Sequence, residues 1–381
     1  MRILKLEYYD KEEEWQLEPV EFSEGINLLV GVSGAGKTKI LTALRSLKAI
    51  ANGNSLNGVK WSLSFVTKSN INYNWSGEFE IKENTSFIDD NLEDDDNVKI
   101  VYEELKCDDT TLVTRTSEKI FFKKKETPKL SPYDSVIELL KQEDDIIPVK
   151  KELDKIILID SDRDVYKIWR FPISILEKYE TSSFFQLKES DLPIPIKFAI
   201  INRLFPEEFK KIKDAFKSIF NNIIDIKIET PKYKSVPIVL SALLEESIVF
   251  NIKEKGIDNW IDNISSGMFK TLMYISELYL SPENSVILID EFENSLGINC
   301  IDSVTDLVWE NTNLQFIVTS HHPYIINNIS PKYWKIVTRK GNIVTVKDAK
   351  DFHIPDSRKK AFIDLINILK NEDDDCDSED E

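Results

Sequence analysis

The chain has 381 residues, of which 41% are hydrophobic, and its formal net charge at pH 7 is −18. This length is typical of two or three domains with a sizeable core, whereas the acidic balance disfavours general attraction to nucleic acid or anionic lipid. No apolar run is long enough for a signal peptide or a bilayer-spanning helix, and Cys107, Cys300 and Cys376 have no CxxC spacing. The sequence therefore predicts a globular protein of the cytoplasm, without a disulfide framework, a cysteine zinc site or a membrane segment.

The first distinctive segment is "GVSGAGKT" at residues 31–38, which follows the apolar run "INLLV" and precedes apolar residues at helical spacing. This arrangement places the octet between a buried strand and a helix. Such a loop typically surrounds the phosphates of a nucleotide with its N–H groups, while its lysine reaches the terminal phosphates and its hydroxyl binds Mg²⁺. The candidate nucleotide-binding residues are Gly31, Ser33, Gly34, Gly36, Lys37 and Thr38, and Thr38 is also a candidate metal ligand.

The middle of the chain changes pattern twice. Residues 61–130 contain β-branched and aromatic segments separated by polar turns, which predicts an antiparallel β subdomain. Residues 131–222 are mainly helical in pattern, and the segment "PEEFKKIKDAFKSIF" at residues 206–220 has one apolar face. No heptad run of three or more units occurs, so a long coiled coil is not expected. The basic run Lys123–Lys125 is more simply interpreted as a solvated strand edge than as a nucleic-acid patch.

A second candidate element is "SVILIDEFENSLG", in which the apolar run Val286–Ile289 ends at Asp290 and Glu291. A strand that delivers a carboxylate beside a phosphate loop can hold Mg²⁺ through Asp290. The next carboxylate, Glu291, can orient or deprotonate the attacking water. The segment "IILIDSDRD" at residues 156–164 ends in a similar way, so the position of Asp290 within the whole set of motifs favours it.

Two further elements are weak when taken alone. In "NISSGMFKTL", Ser265, Ser266 and Gly267 open an amphipathic helix, which makes either a second anion site or an ordinary N-cap. In "FIVTSHHP", His321 follows a predicted strand and could contact a γ-phosphate, whereas His322 is interpreted as structural.

Taken together, the phosphate loop, "SSG", "DE", "ENSLG" and "TSHHP" occur in the order and spacing of ABC-type ATPase heads. The set most resembles the OLD-like AAA ATPases of bacterial defence loci. This resemblance implies an α/β fold, that of a P-loop NTPase of ABC-ATPase type with an antiparallel β subdomain and a compact helical insertion. It also implies ATP and Mg²⁺ as cofactors, and a homodimer or larger homo-oligomer in which the signature of one subunit closes on the nucleotide of another.

The resemblance also implies a role for each matching residue. Asp290 would be the Mg²⁺ aspartate, Glu291 the catalytic glutamate and His321 the switch histidine. Of the signature residues, Ser265 and Gly267 would cap the γ-phosphate in trans, and Ser266 is a further candidate nucleotide-binding residue. Ser33 departs from the family pattern, which usually has Asn there, and no lid glutamine is evident. Arg163 resembles an arginine that these ATPases place near the nucleotide, although a surface ion pair explains it equally well.

The resemblance and the residue patterns divide the chain into five predicted segments, with no second catalytic domain expected after the head. They are 1–60, the N-terminal part of the head with the phosphate loop; 61–130, the antiparallel β subdomain; 131–222, the helical insertion; 223–350, the C-terminal part of the head; and 351–381, a short helix and an acidic disordered tail.

The function that the resemblance implies is a nucleotide-dependent switch. In systems such as PARIS and Septu, an ATPase of this kind controls a separately encoded effector, a nuclease or toxin, in anti-phage defence. A DNA-repair ATPase of the RecF or SMC type, which clamps DNA, is the alternative. The net charge disfavours this alternative, because clamping requires basic surface.

Overall fold

The computed structural model forms two compact units, which we call unit 1 and unit 2. Unit 1 comprises residues 1–158, 284–291 and 313–381, and unit 2 comprises residues 159–283 and 292–312. The residues that the structure describes are 1–82, 97–159, 168–229, 247–261, 264–293, 305–306, 313–355 and 360–368.

The elements are numbered in chain order. The strands are β1 (Arg2–Asp10), β2 (Trp15–Glu21), β3 (Ile26–Val30), β4 (Val59–Val66), β5 (Asn72–Phe79), β6 (Ile100–Cys107), β7 (Thr110–Thr116), β8 (Ile120–Phe122), β9 (Lys125–Glu126), β10 (Ile156–Ile159), β11 (Ile168–Arg170), β12 (Ile223–Glu229), β13 (Ser247–Glu254), β14 (Val286–Ile289), β15 (Gln315–Thr319), β16 (Trp334–Lys340) and β17 (Ile343–Asp348). The α-helices are α1 (Lys37–Ala51), α2 (Val136–Leu139), α3 (Ile147–Asp154), α4 (Ile173–Tyr179), α5 (Phe184–Lys188), α6 (Ile194–Leu204), α7 (Pro206–Ile219), α8 (Ser266–Leu280) and α9 (Pro323–Asn328), with a further helical segment at residues 360–368.

One large sheet organises unit 1. Among the described residues it has 14 strands in the order β10-β14-β15-β3-β16-β17-β2-β1-β4-β5-β6-β7-β8-β9. The strands β14, β15, β3 and β16 pair in parallel, whereas β1 to β9 pair in antiparallel fashion wherever they are neighbours. This is the α/β architecture predicted for an ABC-type P-loop ATPase head. The division of the chain into five segments remains a proposal. Strands β4 to β9, in the predicted β subdomain, continue the main sheet.

The parallel strands position the candidate site. Every residue of β3, β14 and β15 is buried, because strands covered on both faces exclude water from both rows of side chains. In the register of these strands, Ile289 lies beside Val318, and Thr319 lies beside Leu29. The carboxyl ends of β14, β15 and β3 therefore meet at one edge of the sheet. Helix α1 begins at this edge and packs apolar residues such as Leu44 against the core.

A buried glutamate, Glu103, joins three antiparallel strands to helix α2. Glu103 of β6 has no exposed surface, and its carboxylate accepts hydrogen bonds from Trp75 Nε1 at 2.9 Å, Ser135 Oγ at 2.5 Å and the Val136 N–H at 2.9 Å. The buried guanidinium of Arg115 lies 3.7 Å away. Burial raises the pKa of the Glu103 carboxyl although these donors oppose the shift. Since Ser135 also caps α2, the network ties three strands to that helix.

Unit 2 contains helices α4 to α8 and a three-stranded antiparallel sheet in the order β11-β13-β12. Helix α7 begins at Pro206, and it buries Phe209, Ile212 and Phe216 on one face, as its sequence pattern predicts. The longest helices in the described ranges, α1 and α8, have 15 residues each, which is too short for a long coiled coil. Within those same ranges, no helix is long and apolar enough to cross a bilayer.

Replacing Glu103 by Ala is expected to lower the free energy of unfolding by about 3 kcal/mol or more, because Arg115 would stay buried without its carboxylate. Denaturant unfolding at pH 7 measures the change. Glu104→Ala is the matched control, since Glu104 is adjacent and interacts with Lys106 in a partly exposed pair. Equal losses in the two variants would contradict a special role for the buried network.

Candidate functional site

A cavity of about 410 Å³ opens at the carboxyl edge of the parallel strands in unit 1. Its walls come from the segment after β3, from the ends of β14 and β15, and from β16. The lining residues are Ser33, Gly34, Gly36, Lys37, Thr38, Lys39, Asp290, Glu291, Thr319, Ser320, His321 and Arg339. The cavity thus brings together eight residues that the sequence analysis selects from three separate motifs.

Two glycines give the loop at residues 31–38 its close approach to neighbouring strands. A Cβ at Gly31 would lie 2.3 Å from the Val337 carbonyl oxygen of β16, so no larger residue fits without moving backbone. Gly36 has φ +99°, and a Cβ there would lie 2.8 Å from Val344 Cγ2. Both positions require glycine, one because of contact with backbone and the other because of its left-handed conformation.

Lys37 is the first residue of α1, and its side chain folds back along the loop. Its Nζ donates hydrogen bonds to the carbonyl oxygens of Gly31 and Val32, each at 2.9 Å. The first N–H groups of a helix have no acceptor within the helix, and they carry the positive end of its dipole. The loop therefore presents an ammonium group and a helix N-terminus to the cavity, a combination that suits phosphate.

Asp290 stands at the centre of a hydroxyl network. Its Oδ1 accepts hydrogen bonds from Thr319 Oγ1 at 2.6 Å and from Thr38 Oγ1 at 3.2 Å. Thr319 Oγ1 also accepts a bond from the Glu291 N–H at 2.7 Å. One buried threonine thus orients the carboxylate of Asp290 and the backbone of the following residue.

Glu291 has a left-handed backbone with φ +45°, a conformation that costs a non-glycine residue of order 1 kcal/mol. The hydrogen bond from its N–H to Thr319 helps to hold that conformation. Its exposed side chain lines the cavity, as does the exposed His321 that follows β15. His322 instead caps helix α9, because its Nδ1 accepts a bond from the Tyr324 N–H at 3.3 Å.

The oxygen atoms of Thr38 and Asp290 are suitable ligands for a Mg²⁺ ion that is bound together with phosphate. Thr38 and Asp290 offer a hydroxyl and a carboxylate, the oxygen ligands that Mg²⁺ prefers, and their oxygens are already 3.2 Å apart. In the described part of the chain, no group of three or more His, Cys, Asp or Glu residues could hold a metal ion. A phosphate-bound Mg²⁺ does not need such a group, because it usually takes one or two protein ligands and keeps substrate oxygens and waters.

The signature residues belong to unit 2. Ser265 caps α8, since its Oγ accepts a hydrogen bond from the Met268 N–H at 3.2 Å. Ser265 and Ser266 are exposed and Gly267 is half-buried, and none of the three is among the lining residues of the cavity in unit 1. Arg163 lies outside the described residues, as do the acids of the competing segment at residues 160–164. Residues 294–297, the "NSLG" of the motif "ENSLG", also lie outside them.

Sequence reasoning missed four residues of the cavity wall: Lys39, Thr319, Ser320 and Arg339. Thr319 and Ser320 stand in the quoted segment "FIVTSHHP", where a hydroxyl at the end of a buried strand was a usable signal. Lys39 directly follows the phosphate-loop octet. Arg339 has no local signal, because its place depends on the pairing of β16 with β3.

Comparison with known proteins yields one family match. The family described as "AAA domain, putative AbiEii toxin, Type IV TA system" matches residues 26–327, most of the chain. No curated protein matches the sequence.

Three SMC heads are among the solved structures to which this chain is similar. An SMC head bound to the C-winged helix domain of ScpA has 14% identity and a TM-score of 0.44, covering 91% of this chain and 98% of that chain. The SMC head domain from Thermotoga maritima has 12% identity and a TM-score of 0.44, covering 91% and 99%. An SMC head with an extended coiled coil, bound to the C-terminal domain of ScpA derived from Pyrococcus furiosus, has 14% identity and a TM-score of 0.47, covering 91% and 96%.

Thr319→Val is expected to weaken Mg²⁺ binding in the presence of nucleotide by about tenfold or more, because Asp290 would lose the donor that orients it. Titration of Mg²⁺ against the variant with bound nucleotide measures the change. Thr319→Ser keeps the hydroxyl and serves as the control. If the valine variant titrated like the wild type, the orienting role of Thr319 would be wrong.

Proposed function

The chain belongs to this AAA-domain family, and on that premise we propose that it binds and hydrolyses ATP with Mg²⁺ as a switch for a separately encoded effector. The observation that carries the proposal is the cavity in unit 1, where Lys37, Thr38, Asp290, Glu291 and His321 line one space. Chance placement would not bring residues from three distant segments of the chain to one edge of a sheet. Their chemistry matches what phosphoryl transfer needs, which is positioning and charge stabilisation.

Each residue has a role in the proposed reaction. The N-terminus of α1 and Lys37 bind the phosphates, and Thr38 and Asp290 would hold Mg²⁺. When bound, Mg²⁺ neutralises charge on the phosphate oxygens. Glu291 accepts a proton from the attacking water at its carboxylate, and its exposed side chain leaves that carboxylate accessible. His321, at the end of β15, contacts the terminal phosphate.

A second subunit completes the proposed site. Ser265 and Ser266 are exposed at the N-terminus of the 15-residue helix α8, where hydroxyls and the helix dipole suit an anion. In our proposal, these residues and Gly267 cap the γ-phosphate held by another copy of the chain. ATP then binds the closed homodimer or larger homo-oligomer more tightly than the open form and shifts the equilibrium towards it. Hydrolysis, which we expect to be slow, reverses the shift.

The proposed effector is a nuclease or toxin, and the proposed setting is anti-phage defence in the cytoplasm. The resemblance of the motif set to OLD-like ATPases supports this proposal. The family description, "AAA domain, putative AbiEii toxin, Type IV TA system", supports a toxin-linked setting and names no separate effector. In such a scheme the nucleotide state of the ATPase decides whether the effector is held or released.

Glu291→Gln is expected to trap a larger species in the presence of ATP and Mg²⁺, because the variant binds nucleotide but cannot accept the proton needed for hydrolysis. Light scattering measures the molar mass with and without ATP. The double variant Lys37→Ala, Glu291→Gln is the control, and it should stay small because it lacks the phosphate-binding lysine.

Two results would count against the switch. A Glu291→Gln protein that kept the same mass with and without ATP would contradict nucleotide-driven assembly. A double variant that assembled as fully as the single variant would show that assembly does not depend on nucleotide held by Lys37.

A further inference from the structure

One wall of the cavity is built by a strand that no recognised motif covers. Strand β16 pairs in parallel with β3, with Ile336 beside Val30, and it continues past the end of β3 as far as Lys340. The backbone at Val337 approaches Gly31 so closely that only glycine fits there. Residues 338–340 therefore run alongside the phosphate loop.

The side chain of Arg339 lies on the face of β16 that borders the loop. In the β16–β17 hairpin, Arg339 is paired with Val344, and directly opposed residues of an antiparallel pair share one face of the sheet. Val344 is the residue whose methyl groups lie against Gly36 at the end of the loop. Arg339 is accordingly a lining residue of the cavity, whereas its neighbour Lys340 is not.

The guanidinium of Arg339 is held by its own hairpin. Its Nε donates a hydrogen bond to the Gly341 carbonyl oxygen at 2.8 Å. No carboxylate in the described ranges forms an ion pair with Arg339, although the chain carries a net charge of −18. Of the other cations that line the cavity, Lys39 is engaged by Glu13 at 3.1 Å and lies over the Trp15 ring, and Lys37 donates to the carbonyl oxygens of the loop. Within the described residues, the terminal nitrogens of Arg339 make no hydrogen bond, so they are available to an anion in the cavity.

The strand order decides which end of a nucleotide Arg339 meets. In the sheet, β15 and β3 lie between β14, whose last residue precedes Asp290, and β16. Three inter-strand spacings therefore separate β14 from β16. At about 4.8 Å for each spacing, the two strands lie roughly 14 Å apart. This separation is longer than a single phosphate group. If the γ-phosphate lies at Asp290 and Glu291, then Arg339 lies beyond the loop, towards the α-phosphate and the ribose.

We infer that Arg339 is a binding residue for the α-phosphate and ribose end of the nucleotide. This inference rests on the proposed function, because it assumes that the cavity holds a nucleotide with its γ-phosphate at the carboxylates. An arginine suits the task, since its planar fork can donate two hydrogen bonds to phosphate oxygens. Nucleoside diphosphates and triphosphates both contain the α-phosphate and the ribose. The affinity of the site for both classes of ligand therefore depends on Arg339.

Calorimetric titration with ADP and with a non-hydrolysable ATP analogue, both in Mg²⁺, tests the inference. Arg339→Ala should raise the Kd for both ligands by about tenfold or more, the usual effect of losing a charge-assisted hydrogen bond. Arg339→Lys, which keeps the charge without the fork, should give a smaller loss. Lys340→Ala is the matched control, because it removes one charge from the same hairpin on the opposite face, and it should bind like the wild type.

Three results would overturn the inference, and they can be told apart. Loss of affinity for the triphosphate alone would place Arg339 at the γ-phosphate. Unchanged affinity of Arg339→Ala for both ligands, with a wild type that binds them, would reject the role of Arg339 while leaving the proposed function in place. A wild type that bound neither ligand would reject the proposed function together with the inference. A melting temperature of each variant without nucleotide confirms that it is folded.

Discussion

The candidate site depends on the register between two buried parallel strands. Ile289 of β14 lies beside Val318 of β15, so the residues that follow, Asp290 and Thr319, come within hydrogen-bonding distance at 2.6 Å. Because side chains alternate between the two faces of a sheet, a shift of one residue would turn the Thr319 hydroxyl away from Asp290. The same hydroxyl accepts a hydrogen bond from the Glu291 N–H, so one pairing register positions the carboxylate of Asp290 and the backbone of Glu291. A site built on buried strands holds its groups more firmly than one built on loops.

The phosphate loop is fixed by the strand on its other side. β16 continues beyond β3 and approaches Gly31 at the level of Val337, while Val344 of β17 lies against Gly36. The hairpin that carries these residues also joins β3 to β2, since β17 pairs with β2. The loop, the carboxylates and the antiparallel strands therefore share one sheet. A nucleotide bound in the cavity would contact four neighbouring elements of that sheet edge.

Local patterns were sufficient to predict the phosphate loop between β3 and α1, the strand before Asp290 and the apolar face of α7, because each depends on a few adjacent residues. Features set by distant pairing were not predictable. Thr319 contacts Asp290 across 29 residues of sequence, and Arg339 reaches the cavity only because β16 pairs with β3. Glu103, in "VYEELKC", resembles a residue of a solvated strand face, yet it is fully buried because donors from other segments surround it.

We propose that the cavity in unit 1 hydrolyses ATP with Mg²⁺ held by Asp290. Phosphate release from ATP, measured on the wild type and Asp290→Asn with Mg²⁺ or with EDTA, tests it most directly. We expect the wild type to release phosphate only with Mg²⁺, and Asp290→Asn to release it at a rate at least about 100-fold lower. A variant that released phosphate at the wild-type rate, or release that persisted in EDTA, would contradict this proposal.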